Sequence, residues 1–392
     1  MQKGTILFLI AMLVIFVACE KETLVEPVLV QNKVAELPGS ELEGFSVWAP
    51  AKGSIRVMTR NIYVGTDLDT IYKVQNPQLI PVVAAWAFQM MLSTDFGERA
   101  QALADEIARG KPHLIGLQEV SLFRIQSPGD AAFGGTVPAQ TVFLDFLDVL
   151  MNALQQRGLN YQVAGRIENF DVEVPMVVSP TPTFDDVRLT DYDVVLASSD
   201  VGVSNVYAQN YQAALPIPGF GIDLLRGFVA LDAEVGRKTY RFVNTHLESE
   251  TEQARYAQAQ ELLDYLDTET KPIILVGDLN TRAPQGTVYQ YILGEGYEDT
   301  WIHNRIPFYK DGYTAIHDPD LRNTTVKLDH RIDLILVKSH IIPVIKQKIG
   351  PVWAFVVGDE LEDRTPSGLW PSDHAGVIAR LQIPVKPAVY GN

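Results

Sequence analysis

The chain has 392 residues, of which 47% are hydrophobic, enough to bury a large core and too many for a disordered chain. A formal net charge of −16 argues against a basic surface that holds nucleic-acid phosphates by charge alone, so a tight grip on such a substrate needs a metal ion. One cysteine in the whole chain excludes an internal disulfide or a thiolate cluster and leaves oxygen and imidazole as metal donors, which favours Mg²⁺, Mn²⁺ or Ca²⁺ over structural zinc.

Residues 1–18 place Lys3 ahead of an apolar run too short for a membrane span and end on Ala18, the plan of a secretory signal. The stretch "FVAC" resembles the lipobox of bacterial lipoproteins, in which Cys19 becomes the lipidated first residue, with Phe16 in place of the usual leucine. Residues 19–50 are acidic, proline-punctuated and aperiodic, as a tether is. About 30 extended residues span roughly 100 Å, enough to hold a catalytic domain off a membrane. The expectation is an exported, lipid-anchored monomer facing the periplasm or the cell exterior, with a catalytic domain over residues 51–386.

From residue 54 onward short β-like runs alternate with helical patterns, without internal repeats, which indicates α/β layering. "IRVMTRN" reads as a strand ending in Asn61. Residues 81–96, with Trp86, Phe88, Met90 and Met91, are apolar nearly all round and read as a buried helix, with a lipid- or substrate-facing lid as the alternative. Ala100, Leu103, Ala104 and Ile107 follow helical spacing, with Gly110 at the helix end and a strand opening at residues 114–117. Val142, Phe143, Phe146, Leu147 and Leu150 make a second helical stripe, and Ala259, Leu262, Leu263 and Leu266 a third. Residues 172–193 are proline-rich and read as a loop leading to a strand at 194–197.

"KPIILVGDLNTRAP" has the β-branched apolar run of an interior strand, yet it ends in Asp278 and Asn280. On an extended chain residues two apart point to the same side, so the run presents a carboxylate and a carboxamide together. The pattern recurs: "LIGLQEV" carries Glu119, "YRFVNTHLES" carries Asn244 and His246, "RIDLILV" carries Asp333, and "WPSDHAGVIARL" carries Asp373 and His374. One such polar end is an ordinary turn former. A set drawn from Asn, Asp, Glu and His, without lysine, points to a hard metal and hydrolysis at one rim of a sheet.

At these residues the chain resembles the endonuclease/exonuclease/phosphatase superfamily, which includes deoxyribonuclease I-type nucleases, neutral sphingomyelinases and inositol-polyphosphate 5-phosphatases. "LQEV", "NTHLE", "GDLN", "RIDLILV" and "SDH" stand in the family's order over residues 55–383. The resemblance implies an α/β (α+β) domain, a four-layered sandwich of two mainly antiparallel or mixed sheets flanked by helices, and Mg²⁺-dependent attack of water on phosphorus. Carried over residue by residue, it implies that Glu119 binds the metal, that Asn61 holds that site, and that Asp373 is a second metal contact. His374 is then the general base, oriented by Asp333. Asp278 positions the water or protonates the leaving group, and Asn280 and His246 donate to the phosphoryl oxygens.

Asp193 and Arg226 precede strands that adjoin the site in the family, and Arg226 is a candidate phosphate contact. His330, three residues before Asp333, is a candidate pocket residue. His113, His303, His317 and His340 stand in no motif and read as surface or satisfied core. A calcineurin-type metallophosphatase needs histidine-rich segments that the sequence lacks, and a paired-carboxylate glycosidase has no use for His374 or Asn280. A binding lipoprotein that has lost catalysis would not keep every acid and base. The expected activity is endonuclease-like phosphodiester hydrolysis, with a phospholipid phosphodiesterase of the sphingomyelinase type as the alternative, so the expected partner is nucleic acid or phospholipid.

Overall fold

The computed structural model describes residues 53–74, 76–178, 183–217, 222–305, 311–339 and 352–383. The leader, Cys19, the tether and His340 lie outside the described residues. In chain order the elements are β1 (Ile55–Asn61), α1 (Leu68–Tyr72), α2 (Ile80–Ser93), α3 (Phe96–Gly110), β2 (Leu114–Gln126), β3 (Thr141–Asp145), α4 (Phe146–Gln156), β4 (Tyr161–Val177) and β5 (Phe184–Ser198). There follow β6 (Gly202–Asn210), β7 (Leu215–Ile217), β8 (Ile222–Leu224), β9 (Gly227–Val235), β10 (Lys238–His246), α5 (Glu252–Leu266), β11 (Ile273–Ala283) and α6 (Thr287–Gly294). The last are β12 (Glu298–Asp299), β13 (Arg331–Lys338), β14 (Val352–Val357) and β15 (Gly376–Leu381).

Two large mixed sheets form the expected sandwich. One runs β14-β15-β1-β2-β5-β4, with β3 beside β2; the other runs β12-β13-β11-β10-β9-β6. β1 with β2 and β10 with β11 are parallel pairs, and the other pairs are antiparallel. Strand alternation builds the layers. Ile274 and Val276 of β11 pack between the sheets with Val57, Val195 and Leu231, whereas Ile273 and Leu275 face the other way, onto Leu262 and Leu266 of α5. Each buried side chain of this kind contributes about 1.5–3 kcal/mol of transfer free energy, so the layering is fixed by where the apolar residues fall.

A polar tie crosses this apolar layer. The Asn244 amide on β10 donates to the carbonyls of Leu117 (3.0 Å) and Val194 (3.2 Å) in the opposite sheet and accepts from Gln118 Nε2 at 2.7 Å. It does so where the β2–β5 register shifts between Leu117 and Val120, so the side chain replaces missing ladder bonds. Asn244→Leu is therefore expected to cost about 3 kcal/mol in a urea titration, because buried carbonyls lose their donor. A loss below about 0.5 kcal/mol would contradict the reading.

Several local expectations change. Val142 and Phe143 belong to β3 rather than to a helical stripe; Asp145 caps α4 and starts it at Phe146. The described residues of 172–193 are largely strand rather than loop: β4 and β5 pair through them, and Pro175 lies on β4, an edge strand, where a proline is tolerated. α2 is half buried. Ala84, Ala87, Phe88 and Met91 face inward, while Val82 (57%) and Trp86 (42%) are exposed. Gly110 ends α3, but the left-handed residue is Lys111; glycine is needed at 110 because a Cβ there would come within 2.7 Å of Ile378.

Candidate active site

Strand register assembles the site from distant segments. Asp278 of β11 lies directly opposite Asp333 of β13 and beside His246 of β10. In the other sheet, Asn61 of β1 lies beside Gln118 of β2, and the β1–β15 pairing continues toward the turn that carries Asp373 and His374. These ends meet at one rim, and Asn61, Asp278, Asp333, His246, Asp373 and His374 are all buried.

Asp278 is the hub. Its Oδ2 accepts from Asn61 Nδ2 at 3.2 Å and lies 3.5 Å from His246 Nε2 and 3.8 Å from His374 Nε2. A Cβ at position 277 would fall 1.9 Å from the Thr245 carbonyl oxygen, which is why glycine precedes Asp278. His374 Nδ1 meets Asp333 Oδ2 at 2.9 Å, the histidine–carboxylate pair expected from sequence. The Asn61 amide also donates to Glu119 Oε1 at 2.8 Å, and its own oxygen accepts the Tyr63 N–H at 2.9 Å, leaving one lone pair for a cation. Glu119 Oε2 accepts from Val64 N at 2.9 Å.

Two kinks aim these groups. Glu119 has φ 60 and Asn280 φ 47, both left-handed, and each lies where its strand loses register, between Leu117 and Val120 or between Asp278 and Ala283. The extended-chain argument for Asp278 and Asn280 is thereby corrected. They meet through a turn in which Asn280 N–H donates to Asp278 Oδ1 at 3.0 Å. Asn280 Nδ2 donates to the Leu247 carbonyl at 2.9 Å, and the second amide hydrogen remains for a substrate.

His246 has a defined tautomer. Arg226 Nη1 lies 2.9 Å from His246 Nδ1, and a guanidinium can only donate, so the imidazole proton sits on Nε2, the nitrogen facing Asp278. Burial, reinforced by Arg226 and His374, pushes this histidine well below its usual range and keeps it neutral. Arg226 thus touches His246. His330 is partly exposed and is engaged by Asp329; its main chain pairs with Ala315, which also bridges His374, so it sits at the rim.

Sequence reasoning missed Asp191, which lies in this rim. It is buried and accepts from Ser121 Oγ (3.3 Å) and Asn169 Nδ2 (2.9 Å). Burial and the nearby Glu119 push it up to about 7, and burial with Asp191 raises Asp193 well above the usual carboxyl value. The signal was available: "DYDVVLA" repeats the two-apart polar spacing ahead of an apolar run.

The acids outnumber the cations, which tests whether the site suits a metal. Burial raises Asp278 to about 6 and Asp373 to about 7, with Asp333 adding to the first and Glu119 to the second. Burial lowers His374, but Asp333, Asp278 and Asp373 outweigh it and hold the imidazole well above its usual range. Asp278, Asp333 and His374 also offer donor atoms within 4.8 Å of one another. Hard oxygen donors with surplus negative charge fit a divalent cation.

His317 is buried core, but only in part satisfied as expected, because its Nε2 has no hydrogen-bond partner among the described residues. It stacks on Trp370 at 4.0 Å, and its Nδ1 is paired with the Asn323 amide. Burial, then Arg60, pushes it down to about 4. In the unfolded chain it titrates near about 6.5, so the unfolded state binds more protons between these values and stability falls as pH drops from about 6.5 to 4. The loss attributable to His317 is about 2 kcal/mol after allowance for solvent screening. Urea midpoints across this range should fall less steeply in His317→Asn; parallel slopes would refute the assignment.

Two packed sheets that gather acids and paired histidines on one rim define the scaffold of phosphoric-ester hydrolases. The chain belongs to the Endonuclease/Exonuclease/phosphatase family, which matches residues 91–374. The resemblance read from its short motifs is borne out. Among solved structures it is similar to an endonuclease/exonuclease/phosphatase family protein from Bacteroides thetaiotaomicron, at 14% identity and TM-score 0.50, covering 86% of this chain and 98% of that one. It is also similar to the B. thetaiotaomicron VPI-5482 mannosyl-6-phosphatase (15% identity, TM-score 0.48, 83% and 99% covered). Truncated Caenorhabditis elegans TDP2 gives 16% identity and TM-score 0.45, with 84% and 97% covered. Identities this low speak to the fold alone. Among curated proteins no sequence matches the chain.

Proposed function

We propose that the protein is an exported, lipid-anchored, metal-dependent phosphodiester hydrolase in which water attacks phosphorus. The export and anchoring rest on the leader and Cys19. The observation that carries the chemistry is the convergence of His246, His374 and Asn61 on Asp278 Oδ2, with Asp333 behind His374. Glu119, Asp373 and the remaining Asn61 lone pair would hold the cation. When bound, it supplies positive charge that offsets the surrounding acids and stabilises the leaving oxygen.

With that charge balanced, His374 Nε2 takes the proton of the attacking water, while Asp333 fixes the ring and stabilises the imidazolium. His246 Nε2–H and the second Asn280 N–H donate to phosphoryl oxygens as their charge grows. Asp278 positions the water or protonates the leaving group; its raised carboxyl suits either step. Purified protein should hydrolyse bis(4-nitrophenyl) phosphate with Mg²⁺ and lose that activity in EDTA. Plasmid DNA and sphingomyelin liposomes, run in parallel, separate a nuclease from a lipid phosphodiesterase. Metal binding without turnover of any diester would favour a non-catalytic surface lipoprotein on this fold and sink the proposal.

A further inference from the structure

The face of β5 that lines the rim changes character along its length. Val195 and Ala197 are core between the sheets, Asp193 and Asp191 are the acids of the site, and Leu189 and Val187 follow on the same side. The neighbouring strands match this order. Ser121 and Phe170 flank Asp191, Phe123 and Val172 flank Leu189, and Val174 pairs with Val187. Each two-residue step is roughly 7 Å, so apolar wall begins one step from the acids.

Beyond the acids this face is covered by α2, and a pocket lies beneath that helix. It offers a cavity of about 70 Å³ to the centre of a water-sized sphere, is partly open to solvent, and is walled by Ile71, Phe88, Phe123, Phe170, Leu189 and Leu224 among others. Two wall segments are tied to the site by sequence: Leu224 stands two residues before Arg226, and Phe170 follows Asn169, which holds Asp191.

From this continuity we infer that the pocket is a substrate subsite for an apolar, chain-like substituent of the phosphate ester whose phosphoryl group sits at the Asp278 rim. The inference rests on the reading of that rim as a phosphoryl site and adds the substrate class, an amphiphilic ester. A nucleotide's sugar, polar and hydrated, finds no hydrogen-bond partners in such walls. An acyl or alkyl chain does, and each methylene buried there strengthens binding about fourfold.

The test uses the full chain with Mg²⁺ and a series of n-alkyl phosphonates from methyl to decyl, each below its micellar concentration, followed by calorimetry. The dissociation constant should fall about fourfold per methylene until the pocket is full. Ala84→Phe, which fills the pocket from α2, and Val174→Asp, which makes its wall polar, should flatten that dependence and leave methylphosphonate binding unchanged. Methylphosphonate binding with no chain-length dependence, or a slope that survives both variants, would overturn the subsite and leave the hydrolase reading standing. No binding of any phosphonate would remove the phosphoryl site and the subsite together. A steep series without turnover of any diester would keep the subsite and end the hydrolase reading. Hydrolysis of dihexanoylphosphatidylcholine monomers, compared with phosphatidylcholine vesicles, distinguishes a dispersed ester from a bilayer lipid as the source.

Discussion

His374→Ala is expected to lower kcat on bis(4-nitrophenyl) phosphate by about 10³- to 10⁴-fold, the usual worth of a positioned base together with its partner. The fold should survive, because the segment is held through its main chain: Ser372 Oγ accepts from His374 N at 3.2 Å, and the buried Arg60 donates to the His374 carbonyl. Arg60 is itself locked by two 2.9 Å bonds to Glu106. Asp333→Asn makes the finer point. It preserves shape but exchanges the carboxylate at 2.9 Å from His374 Nδ1 for an amide, so the ring loses the partner that raises its basicity. The pH–rate profile of this variant should move its lower limb toward acid, a change that a packing defect would not produce. Turnover of His374→Ala within about tenfold of the wild type would end its assignment as base.

Glu119→Gln is expected to raise the Mg²⁺ concentration for half-maximal rate at least about 100-fold and to weaken Mn²⁺ binding in parallel. The substitution keeps an oxygen for the Val64 N–H and changes the charge, so it separates metal holding from backbone scaffolding. Asn61→Ala should act in the same direction, since its amide links Glu119 to Asp278. The binding readout matters because it does not depend on activity. Unaltered metal binding in Glu119→Gln would place the cation elsewhere, with the Asp278, Asp333 and His374 cluster as the next candidate.

The sequence was most legible where an apolar run ends in a polar residue that a simple turn does not require. Asp278, Asp333, Glu119, His246 and His374 could be named this way because each interrupts a pattern that burial would otherwise continue. It was least legible where pattern and context conflict. Residues 172–193 look like a loop because prolines and polar residues mask alternation, yet β4 and β5 pair there along the edge of a sheet. Val142 and Phe143 carry helical spacing by coincidence, and tertiary pairing with β2 decides their state.

By itself, then, the sequence determined the family, the sandwich and the chemical types at the rim, because these depend on local periodicity and residue identity. Only the tertiary structure decided that Asp278 Oδ2 is the meeting point of two histidines and an asparagine, and that Arg226 sets the His246 tautomer. It alone placed an apolar pocket next to the acids. Those facts follow from the register between strands far apart in the chain and from a helix laid over a sheet face, neither of which any window of sequence contains.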